Sequence, residues 1–401
     1  MASRDMIEEL GLTRLLNASG TETVYGASPV HPEIIEAVAG ILPHSVDMAE
    51  LQRAASRAIE EATGAEAGFV TGCTSAGIVI SVAACMTGLD LARIERLPDT
   101  DGLKNEVVIQ KGHVVNYGSS ITGDIRLSGA RVVEFGAAME TGAYQLEAAL
   151  GAQTAAAVYV VSHHAAPTGM IPLPRFIEIC HARGVPVVVD AAAEYGWREF
   201  LSISADLVLF SAQKALGSLT AGIVAGRRDL VRAAYAQSRG IGRPMKAGKE
   251  AVVGTIAALR RWTQLDQETA RRDTERKAAT LAQRLSGLPG ISAVSVADET
   301  GNPFSRLHLT IDAAVAGFSA HGVAVALSRA KPRVLVRTLH ADRGVLMVDV
   351  RRLDDAGLDL VCRHLQSAID GARAAGDRSM PPPPGDGSAR AVLEWLAEPS
   401  E

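Results

Sequence analysis

Hydrophobic and polar positions run through this chain in two rhythms. Residues 46–63 (VDMAELQRAASRAIEEAT) place apolar and charged positions at helical spacing. GFVTGCTSAGIVISVAACMT (68–87) then reads as a strand, a turn of Gly, Ser and Thr, and a buried helix. EVVIQ (106–110), RVVEF (131–135), AAVYVV (156–161) and VPVVVD (185–190) are short β-branched runs, each followed by a helical or loop stretch. DLVLFSAQ (206–213) and AGIVAG (221–226) add two more strands. Apolar strands alternating with helices predict an α/β domain with a mostly parallel sheet covered on both faces.

Residues 250–285 are charged at helical spacing and predict one long helix joining two domains. ISAVSV, RLHLTID, a helix at 319–328, RVLVRTLHA, GVLMVDV and a helix at 354–373 follow, as expected of a small α/β domain. The expected organisation is an N-terminal segment (1–45), a large domain (46–249), the long helix with a small C-terminal domain (250–373), and a tail (374–401). PPPPGDG in the tail suits neither a helix nor a central strand, so it reads as a linker before a short terminal helix, ARAVLEWLAE.

Composition narrows the class. A length of 401 residues allows two or three domains. The formal net charge of -5 gives no bulk attraction for nucleic acid, so no nucleic-acid partner is expected. Arg260, Arg261, Arg271 and Arg272 form the one candidate basic patch, read first as a solvated helix face. Cys73, Cys85, Cys180 and Cys362 make no CxxC pair, so neither a metal site nor a redox motif is expected. No long uncharged apolar run and no signal-peptide pattern appear, and the expectation is a cytoplasmic protein without a membrane span.

The chemistry concentrates at strand ends. One buried strand ends in Asp190, and another ends in a turn that presents Lys214, 24 residues later. In parallel α/β sheets ligands sit at the carboxyl ends of strands, so both side chains should meet in one crevice. Pyridoxal phosphate (PLP) needs such a pair: a lysine for the Schiff base, and an acid that keeps the pyridine nitrogen protonated. Taken singly, Asp190 also fits a helix N-cap and Lys214 a solvated loop. The turn at 71–77 (TGCTSAG) opens a helix, whose N–H groups suit a phosphate; Thr74, Ser75 and Ala76 are the expected contacts, with Ser211 a further donor. No GxGxxG or GxxxxGK[ST] run is present, which disfavours a nucleotide.

LLNASGTETVYGAS (15–28), VDMAELQ (46–52), KNEVVIQKGH (104–113), SHHAAPTGMIPL (162–173), VPVVVDAAAE (185–194), ADLVLFSAQKALG (205–217) and GIGRPMKAGKE (240–250) together carry a resemblance. The chain resembles the selenocysteine synthase-like (L-seryl-tRNA(Sec) selenium transferase-like) PLP enzymes of fold type I, the aspartate aminotransferase-like fold. Within that group it stands nearest the D-glucosaminate-6-phosphate ammonia-lyases. The resemblance implies Lys214 as the Schiff-base lysine, Asp190 at the pyridinium and 74–76 at the phosphate. It implies His113 near the cofactor ring, and His163 or His164 as a stacking or acid–base residue. Arg243 and Lys246 would bind a substrate anion or a partner subunit's cofactor phosphate, and Arg337 a substrate carboxylate. Each of these also has a plain reading as a satisfied polar or solvated loop residue. The implied activity acts on an amino acid or amino-sugar acid through an external aldimine and a Cα carbanion, with a lyase outcome first. Aldolase, racemase, aminotransferase, selenium transferase-like and non-catalytic outcomes remain open. At least a homodimer is implied. Two departures stand beside the lysine: Ala212-Gln213 where relatives carry Gly-Gly, and Ser218-Leu219-Thr220 where they carry Gly-Pro-Gln.

Overall fold

The computed structural model describes residues 5–376 together with Val392, Leu393 and Trp395. The linker and terminal helix expected in the tail lie almost wholly outside the described residues. In chain order the strands are β1 (Leu15–Ala18), β2 (Ala67–Thr71), β3 (Glu106–Gln110), β4 (Arg131–Phe135), β5 (Thr154–Val160) and β6 (Val187–Asp190). They continue with β7 (Leu207–Ser211), β8 (Gly222–Gly226), β9 (Ile291–Ala297), β10 (Ser305–Ile311), β11 (Arg333–His340) and β12 (Val345–Val348).

Two compact units result: Ala27–Leu265, and the residues up to Gly26 together with those from Asp266 onward. The larger holds a seven-stranded sheet in the order β2-β8-β7-β6-β5-β3-β4. The run β7-β6-β5-β3-β4 is parallel, and β8 is antiparallel to both its neighbours. Strand side chains alternate between faces, and here both faces are buried. Val187, Val189, Val208 and Phe210 enter one apolar core, and Val188, Leu207 and Leu209 enter the other. At roughly 1.5–3 kcal/mol for each large apolar side chain fully buried, this double burial fixes the register of the central strands. It also fixes which way Asp190 points: two residues after Val188, it faces the side covered by helices Thr74–Thr87 and Ile121–Leu127.

The second unit carries a five-stranded sheet, β1-β11-β12-β10-β9, antiparallel except for the β1–β11 pair. Its core joins Leu281 and Leu285 with Val323, Leu327, Val361, Leu365 and Ile369 from three helices. Two expectations change here. The stretch expected as one helix is two, Lys249–Gln264 and Gln267–Leu285. Asp266 stops the first and caps the second, its carboxylate accepting the Glu268 and Thr269 N–H groups at 3.1 Å each. The N-terminal segment is also divided, since β1 pairs with β11 while helix Pro32–Ile41 belongs to the larger unit. Arg271 and Arg272, from the candidate basic patch, are ion-paired with Glu268.

Candidate active site

Asp190 ends β6 in register with Leu209 of β7, and Lys214 follows three residues after β7 ends. Asp190 is buried, and its Oδ1 accepts the Ala192 N–H at 3.2 Å. Burial pushes its carboxyl up to about 6; the Lys214 charge and the Ala192 N–H draw it down, and the Asp124 charge pushes it further up. Asp190 and the turn that bears Lys214 thus stand at the carboxyl ends of adjacent parallel strands. Lys214 sits in a closed loop. Ala212 N–H donates to the Ala221 carbonyl and Ser218 N–H to the Ala212 carbonyl, both at 3.0 Å. Ser28 Oγ donates to the Lys214 carbonyl at 3.2 Å. The two departures from the family pattern meet each other: Thr220 Oγ1 donates to Gln213 Oε1 at 2.7 Å.

Thr74, Ser75 and Ala76 form the first turn of helix Thr74–Thr87, with Cys73 as its cap. Cys73 Sγ accepts the Ala76 N–H at 3.4 Å. The Thr74 hydroxyl is buried without a hydrogen-bond partner, as is the Ser218 hydroxyl. Gly222 of β8 lets the turn approach, because a Cβ there would stand 2.3 Å from the Cys73 carbonyl carbon and oxygen. On the other flank Gly72 N–H and Thr71 Oγ1 both donate to the Met245 carbonyl, at 2.8 and 2.7 Å. That pairing brings the loop bearing Arg243 and Lys246, both exposed, alongside the turn. Ser211 is buried at the end of β7, and its N–H donates to the Ala192 carbonyl at 3.1 Å.

The histidines lie in two different environments. His113 is buried after β3, where Val160 N–H donates to its Nδ1 at 3.0 Å and Tyr159 meets its ring edge-on at 4.4 Å. Burial pulls its imidazole down to about 4, so the ring is neutral at neutral pH. Gln110 holds the same region, contacting the His113 ring nitrogens and accepting the Ile171 N–H at 3.1 Å. His163 and His164 lie in the loop after β5 with ring centroids 3.9 Å apart. His163 is half-buried and His164 exposed.

Three residues that sequence reasoning passed over lie beside these groups. Asp124, on helix Ile121–Leu127, is buried. It accepts hydrogen bonds from Ser75 Oγ at 2.5 Å, from Ser119 Oγ at 3.3 Å and from the Tyr117 hydroxyl. Burial and the Asp124 carboxylate together hold the Tyr117 phenol well above its usual range, and the Asp190 charge adds to this. An acidic residue in a short amphipathic stretch gives no sequence signal that it turns inward.

In the second unit, Arg337 of β11 stands among Arg306, Asp349 and Arg351. Asp349 is buried and held by Arg351, with Arg306 Nε 3.6 Å away. Arg306 also pairs with Asp298. Phe304 lies against both guanidinium groups, 3.5 Å from that of Arg351. Arg337 has no carboxylate within ion-pair distance among the described residues. Burial and the Arg306 charge lower its affinity for a proton, while Glu22 and Asp349 oppose this. Such a guanidinium offers its donors to an anion.

The residues of the larger unit fit PLP: a buried acid ending one strand and a lysine just beyond the end of its parallel neighbour, a helix N-terminus with an unpartnered buried hydroxyl, and a glycine that leaves room for the turn. The described residues hold no His/Cys/Asp/Glu cluster suited to a metal ion, and no helix among them is long and apolar enough to cross a membrane. Known proteins agree. A model of the L-seryl-tRNA selenium transferase family matches residues 15–285. D-glucosaminate-6-phosphate ammonia lyase of Salmonella typhimurium is 35% identical over 368 residues, covering 92% of this chain and 99% of that protein. The 5'-C-glycyluridine monooxygenase-decarboxylase of a Streptomyces species is 38% identical over 364 residues, 90% of this chain and 91% of its own. A solved D-glucosaminate-6-phosphate ammonia-lyase structure superposes with a TM-score of 0.83 at 34% identity, covering 92% of this chain and 99% of that one. Serine palmitoyltransferase from Sphingomonas wittichii, at 15% identity over 90% of this chain and 88% of its own with a TM-score of 0.57, shares the fold. The chain belongs to the L-seryl-tRNA selenium transferase family of PLP-dependent enzymes of fold type I.

Proposed function

We propose that this protein is a PLP-dependent lyase that acts on an amino acid or amino-sugar acid and releases ammonia or water. The observation that supports the reading is the placement of buried Asp190 at the end of β6, in register with Leu209 of the adjacent parallel strand β7, whose end at Ser211 is followed three residues later by Lys214. When bound, PLP supplies an electron sink that acidifies the Cα–H bond of an amine joined to it. Lys214 Nζ would anchor the cofactor and would be the group that takes the Cα proton. An Asp190 carboxylate oxygen would accept the hydrogen of the ring nitrogen. Thr74, Ser75 and Ala76 would hold the phosphate at the helix N-terminus, with the Thr74 and Ser211 hydroxyls as further donors. Arg243 and Lys246 give a cationic rim beside that turn for a second anion. Arg337 is our choice for a substrate carboxylate. His163, in the loop after β5, is the preferred second acid–base group, with His164 beside it. For His113 we favour a supporting role, because its Nδ1 already accepts the Val160 N–H.

The resemblance to an ammonia lyase supports the lyase outcome and an amino-sugar acid substrate. A second reading, oxidative decarboxylation of an amino acid, draws on the relative named a monooxygenase-decarboxylase, which is as similar. One assay separates them. Incubation with D-glucosaminate 6-phosphate and with a panel of amino acids should release ammonia without oxygen uptake. Oxygen consumption coupled to carbon dioxide release would replace the lyase reading with the second. We further propose a homo-oligomer of at least two chains. Exposed Ile35 on helix Pro32–Ile41, with Leu42, Val46 and Met48 beyond it, supports an apolar contact region.

A further inference from the structure

Among the described residues, Ala27 and Ser204 alone adopt a left-handed backbone without being glycine. Ala27 does so at φ 59° while buried. A Cβ disfavours that conformation, and it persists where the surroundings over-determine it. The turn delivers Ser28 to a particular partner. Ser28 is 6% exposed, and its Oγ donates to the Lys214 carbonyl at 3.2 Å, across 186 positions of sequence. Helix Pro32–Ile41 follows and approaches the same loop again. A Cβ on Gly254, in helix Lys249–Gln264, would stand 2.9 Å from Leu219 Cδ1, 3.2 Å from Ser218 Oγ and 3.3 Å from Val38 Cγ2. Helix Pro32–Ile41 and the far limb of the lysine loop therefore converge on that glycine. Just past the helix, Lys249 Nζ donates to the Leu42 carbonyl at 2.7 Å. Residues 27–42 are thus fastened at their start, middle and end.

We propose that Ser28 is a positioning residue for Lys214: its hydroxyl holds the Lys214 peptide so that Nζ is presented toward the end of β6, and the left-handed turn at Ala27 places the hydroxyl there. This rests on the PLP reading, in which Lys214 forms the bond to the cofactor. A lysine reaches its target on a flexible four-carbon stem, so the direction in which the backbone launches that stem limits where the amine can go. Fixing the Lys214 carbonyl fixes the peptide plane that follows it, and with it that direction. The backbone bonds of Ala212 and Ser218 close the two limbs of the loop, and Ser28 holds the residue between them.

The test separates capture of PLP by Lys214 from occupancy of the pocket. Cofactor-free parent, Ser28→Ala, Ser28→Cys and Ser28→Thr are mixed with PLP, and the visible band of the lysine-bound cofactor is followed in time. Borohydride reduction and peptide mapping identify the residue labelled. Binding of pyridoxine 5'-phosphate, which carries an alcohol in place of the aldehyde and so forms no bond to lysine, is measured on each by calorimetry. Ser28→Ala should capture PLP about tenfold more slowly, because a small misplacement of a reacting group is costly in rate, with pyridoxine 5'-phosphate affinity unchanged. Ser28→Thr keeps the hydroxyl and should restore the parent rate. Ser28→Cys, a weaker donor of nearly the same shape, should fall between them, and it carries the test should Ser28→Ala not fold. An unchanged rate in Ser28→Ala and Ser28→Cys, an equal loss for both ligands, or no rescue by Ser28→Thr overturns the role of Ser28 and leaves the PLP reading standing. A parent protein in which Lys214 takes no label overturns both.

Discussion

Asp190 ionises against its surroundings, and the direction of that conflict is measurable. Its carboxyl is raised to about 6 in the folded chain, so folding favours the protonated form. Stability from this residue is complete below the ordinary carboxylate range and is lost as pH rises through about 6. The loss approaches about 3 kcal/mol at neutral pH, taking one unit as about 1.4 kcal/mol. His113 runs the other way. Depressed to about 4, it adds stability above its ordinary value near 6.5, and loses it as pH falls toward 4. The two act in one window with opposite sign, so the difference between parent and Asp190→Asn isolates the carboxylate. Denaturation of the cofactor-free proteins from about pH 4 to pH 7 should show the parent losing ground to the variant as pH rises. Parallel curves would mean that Asp190 is not desolvated. Residues of this kind differ in legibility. Asp190 and Lys214 stood out because each ends an apolar run. Asp124 did not, because only the tertiary packing of its helix turns it toward Ser75.

Elements hold the site through close approach more than through side-chain chemistry. Gly222 is the clearest case. Gly222→Ala places a Cβ 2.3 Å from the Cys73 carbonyl, and backbone there cannot step aside cheaply. The substitution should cost about 1–3 kcal/mol in stability and weaken PLP binding together, because both depend on where the 73–76 turn lies. Titration of the cofactor-free variant with PLP measures this, and unchanged affinity would remove β8 from the site's support. The Lys214 loop has its own latch. Thr220→Val keeps the shape and loses the hydrogen bond to Gln213, with an expected cost of about 0.5–1.5 kcal/mol in denaturant unfolding. No loss would mean that the pair contributes nothing to loop closure. The strands were legible from β-branched runs bounded by turn residues. The break at Leu265–Asp266 was not, since charged residues keep helical spacing straight across it and only the Asp266 cap marks it.

The whole molecule joins two sheets of different kinds. The parallel run β7-β6-β5-β3-β4 and the buried helix after β2 announced themselves as alternating apolar segments. The placement of β1 beside β11 did not, because a four-residue strand pairing across more than three hundred residues leaves no local pattern. Exposed Ile35, Leu42, Val46 and Met48, on and just after helix Pro32–Ile41, predict association, and light scattering should give at least twice the 42.0 kDa chain mass. A monomer at working concentration would contradict it. The central claim, that this family member uses Lys214 to hold PLP, is tested most directly by borohydride reduction of the purified, PLP-loaded protein followed by peptide mapping. A single stable label is expected, on Lys214, that disappears in Lys214→Ala while the fold persists. A label on another lysine, or a protein that takes up none, would contradict it.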